Sequence, residues 1–263
     1  MASRRRRNLE LLPRLLESPE PAPAADPASA CRIRLAFTKL GAAAWMSHLD
    51  LVRTIQRTLR RARLPIRYTA GFHPHPQVSF SPALGVGIGS RQEYVDVAVD
   101  EPPENPAAWL DQLNAASVPG LQFLSLAVLG PGEPAIESWA GRAVYRIVVP
   151  APALKGYLRD AFPGEADPAA WLQGRIEGYL AQSEVPVPRR RPGRPAGTKD
   201  IRPLLLHAAS GAEPGGYVLT LEARLGPQGS IRPEDWLELC LPGFQGDFFV
   251  ERTALSAPPP DPA

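Results

Sequence analysis

The amino-acid sequence predicts an α+β fold built from two tandem ferredoxin-like (βαββαβ) modules. Stretches of alternating hydrophobicity and stretches of helical period succeed one another as β-α-β-β-α-β over residues 31–130. The same order recurs over residues 141–255, although the two halves share little residue identity, so the division falls near Gly130–Gly141. A chain of 263 residues has the length for two such units.

Each element has its own signal. "CRIRLAFTKL" alternates Ile33, Leu35 and Phe37 as a half-buried strand does. "SHLDLVRTIQRTLRRARL" puts Leu49, Val52, Ile55 and Leu59 on one helical face, with an S-x-x-D cap from Ser47 to Asp50 and His48 in the first turn. "LPIRYTA" and "EYVDVAVD" read as the second and third strands, "NPAAWLDQLNAAS" as a helix capped by Asn105, and "LQFLSLAVL" as the fourth strand. In the second half "RAVYRIVVP" is a strand, "ALKGYLRDAF" an extra helix or helical turn, and "DPAAWLQGRIEGYLAQ" a helix. "DIRPLLLHAA" and "GYVLTLEARL" form a hairpin pair, "SIRPEDWLELCL" opens a helix at Ser230, and "DFFVERTAL" closes as a strand. Residues 1–30 and 256–263 are expected to be disordered tails, and the proline-rich loop near 188–199 to be disordered without a ligand.

The net charge of +2 conceals two basic segments. Residues 31–67 carry nine Lys or Arg against Asp50, and residues 188–202 carry six against Asp200, on a chain that is otherwise acidic. That distribution is the footprint of a polyanion-binding surface. Its candidate contacts are Arg53, Arg57, Arg60 and Arg61 on the first helix, with Arg189, Arg190, Arg191, Arg194 and Lys199 in the loop. The two cysteines, Cys31 and Cys240, provide neither a disulfide framework nor the ligands of an iron–sulfur cluster. No apolar run is long enough to span a membrane, which makes the cytoplasm the expected compartment.

The stretch "YTAGFHPHPQVSFSPALGVGIGS" holds the remaining chemistry. Prolines after His73 and His75 force both into extended backbone, so Gly71, His73, Pro74, His75 and Pro76 form a stiff corner. Gly85, Gly87 and Gly89 at every second position would bare one face of a strand for close approach of a ligand. No Walker or Rossmann pattern accompanies them. His48, at a helix N-terminus where the dipole disfavours imidazolium, is a candidate base, with His75 as its companion. Arg202 and Arg232, in two "IRP" tripeptides, are read as paired internally with acids such as Asp200 and Asp235.

The block "WMSHLDLVRTIQRTLRRARLPIRYTAGFHPHPQVSFSPALGVGIGSRQEYVDV" resembles the opening of a bacterial family, the radical-SAM-linked proteins, a domain of unknown function. That family shows S-H-L-D-L at a helix start, G-F-N-P-H-P after the next strand, and a glycine turn leading to E-Y. "KDIRPLLL" and "GSIRPEDWLEL" are similar to its later blocks, so the resemblance runs from about Ile33 to Thr253. Members are often fused to, or encoded beside, a B12-binding radical SAM protein. The resemblance therefore implies a radical SAM protein as partner, here on a separate chain because no CxxxCxxC is present. His73 replaces the family's usual asparagine, which argues against a His48–His73–His75 zinc set, and no metal or cofactor is assigned. Proteins with tandem ferredoxin-like modules that process CRISPR RNA are similar in outline, with a histidine early in the first helix. The expected function is an accessory role beside the radical SAM enzyme, with RNA bound. Its alternatives are an RNA-processing or RNA-modifying enzyme centred on His48 and His75, and a protein–protein adaptor.

Overall fold

A computed structural model describes residues 31–164, 167–189, 197–226 and 229–258. The chain is α+β, with one large mixed sheet and six helices among the described residues. Its first half runs β1 (Cys31–Lys39), a 3-10 turn (Gly41–Trp45), α1 (His48–Arg61), β2 (Val78–Phe80), β3 (Gly89–Val99), α2 (Pro106–Ala116) and β4 (Phe123–Leu129). A short helix, α3 (Ile136–Trp139), leads into the second half. There follow β5 (Arg142–Pro150), α4 (Ala151–Ala161), α5 (Pro168–Leu180), β6 (Pro186–Arg189), β7 (Gly197–Asp200), β8 (Leu205–Glu213), β9 (Gly216–Arg224), α6 (Pro233–Cys240) and β10 (Phe249–Ser256).

The strand order is β4-β1-β3-β10-β5-β9-β8, with β2 also on β3, and β6 and β7 form a separate two-stranded ribbon. Neighbours within each half are antiparallel. The first half lies in the order β4-β1-β3-β2 and the second in the corresponding order β10-β5-β9-β8. The halves meet where β10 pairs parallel to β3, Glu251 opposite Gly89 and Arg252 opposite Ser90. One edge of β3 is thus shared: its start holds β10 and its later residues Val95–Val97 hold β2.

Each half has its own core. Ile33, Leu35 and Phe37 of β1 and Val95, Val97 and Val99 of β3 face Ile55 and Leu59 of α1 and Leu113 of α2. In the second half, Ala143, Tyr145, Ile147 and Val149 of β5 face α4, α5 and α6, with Trp236 fully buried. The caps expected at Ser47 and Asn105 form: each side-chain oxygen accepts a backbone N–H in the first turn. Across the sheet from these helices, Arg34 makes a bidentate pair with Asp96 at 2.7 and 3.0 Å, donates to Pro134 O, and lies 4.8 Å from the Trp139 ring. Asp96 also accepts from the N–H of Ile136, so one buried ion pair fixes α3 against β1 and β3.

Four elements differ from the sequence reading. "LPIRYTA" is not a strand: Ile66 and Tyr68 make only isolated bridges, to Val99 and Pro76, because the chain leaves the sheet after Arg67 to build a hairpin. The strand that pairs with β3 is Val78–Phe80. "DIRPLLLHAA" is broken by a 3-10 turn at Arg202–Leu204, where Pro203 removes a ladder donor. Helix α6 begins at Pro233 after Arg232, later than Ser230, because proline favours the first helical position. No described helix is long and apolar enough to cross a membrane.

The seam between the halves is held by a buried ion pair. Arg252 Nε donates to Glu93 Oε1 at 2.7 Å and its Nη2 to Glu93 Oε2, and both residues are almost wholly buried. Glu93→Ala alone is expected to cost about 3–5 kcal/mol, because it strands a buried guanidinium. The double change to Met at 93 and 252 should cost much less, and urea unfolding of both proteins checks this. Equal losses would show that the charge pairing is not what holds the seam.

Candidate functional site

Helix α1 carries the first set of predicted residues. Its buried face is Leu51, Thr54, Ile55, Thr58 and Leu59. Arg53, Arg57, Arg60 and Arg61 are all exposed. Arg53 stands 3.8 Å from Asp50; Arg57 donates to Thr54 Oγ1 and Arg61 to the carbonyl of Ala116. Among the described residues Asp50 is the single carboxylate that pairs with any of these four. Arg34, Arg67, Arg91, Arg142, Arg146, Arg232 and Arg252 each bind a carboxylate, while Arg175 and Arg202 donate to backbone carbonyls.

The Pro–His–Pro corner is a protruding hairpin. Thr69 N donates to His75 O at 2.8 Å, and His75 N to Thr69 Oγ1 at 3.0 Å. Gly71 turns the tip with φ of +119°, a conformation open to glycine. Phe72 is fully solvent-exposed, His73, Pro74 and His75 are exposed, and Pro76 is buried. The His48 ring meets Phe80 edge-on at 5.9 Å. No group of three His, Cys, Asp or Glu among the described residues is placed to hold a metal.

The alternating glycines do not bare the face of a strand. Gly85 and Gly87 lie in the loop ahead of β3, which begins at Gly89. Gly87 has φ of +85°, donates its N–H to Ala44 O at 3.0 Å, and leaves only 3.3 Å between a would-be Cβ and the Trp45 ring. The glycines thus let the 81–88 loop bend tightly over the 3-10 turn. In the basic ribbon, Arg189 ends β6 and Lys199 lies in β7, where its Nζ donates to Ser230 O at 3.0 Å. Those ends pair as strands, whereas Arg190, Arg191 and Arg194 lie outside the described residues. The ribbon belongs to the second half and α1 to the first, so the described basic residues stand on two different parts of the molecule. Both "IRP" arginines are engaged internally: Arg232 with Asp235, Arg202 with the carbonyls of Leu180, Gln182 and Leu205.

Sequence reasoning missed the polar groups of the seam. Ser81 Oγ donates to Glu93 Oε2 at 2.9 Å, Arg252 also donates to Pro82 O, and Lys39 Nζ donates to Ala44 O and Ile88 O at 2.9 and 3.3 Å. Burial lowers the Lys39 ammonium below the ordinary lysine value, against the opposing pull of Glu93. Burial also raises the hydroxyl of Tyr145, against the opposing charge of Arg252. A signal was present in "EYVDVAV", where Glu93 has the same alternation as Val95, Val97 and Val99 and must therefore point into the core. Two openings flank this cluster. Lys39, His48, Phe80, Ser81 and Glu93 line a pocket of ≈10 Å³, room for about one water. Across Ala83 and Leu84, a cleft of ≈680 Å³ runs between the 83–88 loop and the start of α6, over Tyr145.

Residues 32–233 match a bacterial family described as "Uncharacterized protein conserved in bacteria (DUF2344)". The chain belongs to this family. No curated protein matches it in sequence. A crystal structure of an unknown protein from Galdieria sulphuraria is similar at 10% identity, over 86% of this chain and 99% of that one, with a TM-score of 0.25. So loose a superposition carries no argument.

Because Lys39 binds its proton less tightly folded than unfolded, the unfolded chain holds more protons between the lowered folded value and the ordinary lysine value. Stability should therefore gain a rising component with pH across that alkaline window, and none below it. Urea unfolding between pH 8 and 10 is expected to show this slope in the native protein and its loss in Lys39→Met. An identical slope in both would remove Lys39 from the linkage.

Proposed function

We propose that this member of the family is an accessory protein, built of two ferredoxin-like modules, that binds RNA along α1 beside a separate radical SAM enzyme. The modular reading is supported by the equivalent strand orders of the halves and their β-α-β-β-α-β succession, with α4 and the ribbon as additions to the second. The observation that carries the RNA reading is the contrast among arginines. The fold neutralises the guanidinium groups of its sheet and seam with carboxylates, yet leaves four exposed on one helix with Asp50 as their one acid. Exposed guanidinium groups with little internal pairing lose little on meeting phosphates and release counterions when they do. The radical SAM partner rests on the resemblance of the residue 45–97 block to the radical-SAM-linked proteins, and its place on another chain on the lack of a CxxxCxxC motif here.

A second reading has one observation in its favour. His48 opens onto the same small pocket as Lys39, Ser81 and Glu93, which gives an imidazole polar neighbours at a helix start. In that version His48, without His75, is the centre of an RNA-directed reaction.

Filter binding to tRNA from ~50 to ~200 mM salt is expected to give a linear log–log plot. If Arg57, Arg60 and Arg61 each meet a phosphate, their replacement by Ala should lower the slope by about 2–3 units. Flat or absent binding by the native protein would remove RNA from the proposal. His48→Ala is expected to leave RNA binding unchanged and to abolish RNA turnover only if the second reading holds.

A further inference from the structure

A cleft of ≈680 Å³ opens between the halves, and neither the arginine face of α1 nor the pocket beside His48 uses it. Its volume of ≈680 Å³ falls in the range of small-molecule sites, and its place between two modules is a common one for such sites. Its walls are unlike each other. The first half contributes Ala83, Leu84, Gly85 and Ile88, which are apolar or bare. The second half contributes Glu234 and Glu238, four residues apart on α6 and therefore on the same side of the helix.

The charges at the rim are not balanced. Arg232, the cation of the lining, is held by Asp235 at 2.8 Å. Glu238 spends one oxygen on the N–H of Gly243 at 3.0 Å. Glu234 has no hydrogen-bond or ion-pair partner among the described residues, and its Oε1 lies 3.8 Å from where a Cβ on Gly85 would sit. The lining thus sets three carboxylates, Glu234, Asp235 and Glu238, against the single guanidinium of Arg232.

The floor is of opposite character. Tyr145 is 5% exposed and lines the cleft beside Arg252, itself locked to Glu93. A phenolic hydroxyl in that position can donate its proton to an oxygen that a ligand brings. Acceptor below and cation above, joined by an apolar body along Leu84 and Ile88, is what the cleft complements.

We propose that this cleft binds a small organic ammonium compound carrying a carbonyl or hydroxyl oxygen at its other end. The ammonium sits between Glu234 and Glu238, and the oxygen accepts from Tyr145. This site is independent of the arginine face of α1, so either proposal can fail alone.

The test is ligand-observed NMR on the full chain without RNA, using 6-aminohexanamide as probe. Hexanamide lacks its cation and hexylamine lacks its oxygen. We expect saturable binding of the probe at one site, with both controls weaker by about tenfold, the loss of one charge-assisted or one neutral contact. Glu234→Gln with Glu238→Gln should bring the probe down to the level of hexanamide. Tyr145→Phe should bring it down to the level of hexylamine while leaving hexylamine unchanged. Because Tyr145→Phe also removes a contact to Arg252, its melting curve and that of the glutamine variant are measured beside the native one, and the glutamine pair, which touches no core residue, decides if Tyr145→Phe unfolds. No saturation, equal binding of hexanamide, or unchanged probe binding in the glutamine variant would each overturn the site. Binding of tRNA by the glutamine variant is expected to match the native protein.

Discussion

The architecture depends on one ion pair between strands that are 159 residues apart in sequence, Arg252 with Glu93. The parallel contact of β10 with β3 involves only two residue pairs, far too few ladder bonds to fix one half against the other. The guanidinium closes the gap: it reaches Glu93 twice and Pro82 through its carbonyl. Burial works against the arginine's charge, and Glu93 outweighs it and holds the group protonated. A charged pair in such a place makes the geometry specific, because neither partner can move away without leaving the other unpaired in a dry environment.

Both openings on the helix side follow from that pair. It draws the 81–88 loop toward β10, and the loop then separates a small pocket beside His48 from the larger cleft beside α6. Gly87 permits the bend by accepting φ of +85° under the Trp45 ring. On the opposite face, Arg34 and Asp96 perform a similar task for the linker, seating Ile136 and Trp139 against the sheet. Two buried ion pairs, one per face, thus hold the seam between the halves and the linker that joins them.

The distribution of arginines gives these pairs a functional counterpart. Several on the strands are met by carboxylates, as Arg142 is by Glu222 and Arg91 by Glu251. The four on α1 are exposed, with Asp50 as the one acid beside them. Strand side chains have cross-strand neighbours within reach, whereas the outer face of a helix has only its own turns.

Much of this was legible in the residues. The alternation of Ile33, Leu35 and Phe37, the cap at Ser47 and the outward set of arginines on α1 are local consequences of periodicity, and a single segment contains all the information they need. The pairing of Arg232 with Asp235 was legible for the same reason, three residues apart, whereas the Arg202 guanidinium leaves Asp200 to its own backbone N–H and reaches the carbonyls of Leu180 and Gln182 about twenty residues away. The missed second strand and the loop formed by Gly85 and Gly87 were decided by contacts with distant segments. Lys39, Glu93, Tyr145 and Arg252 gain their meaning only when strands from both halves adjoin. The chain's local order fixed which elements exist, because helix and strand period are written in consecutive side chains. Tertiary structure alone decided which charges meet and where the cleft opens, because burial removes water and makes each buried charge depend on a partner that the sequence places far away.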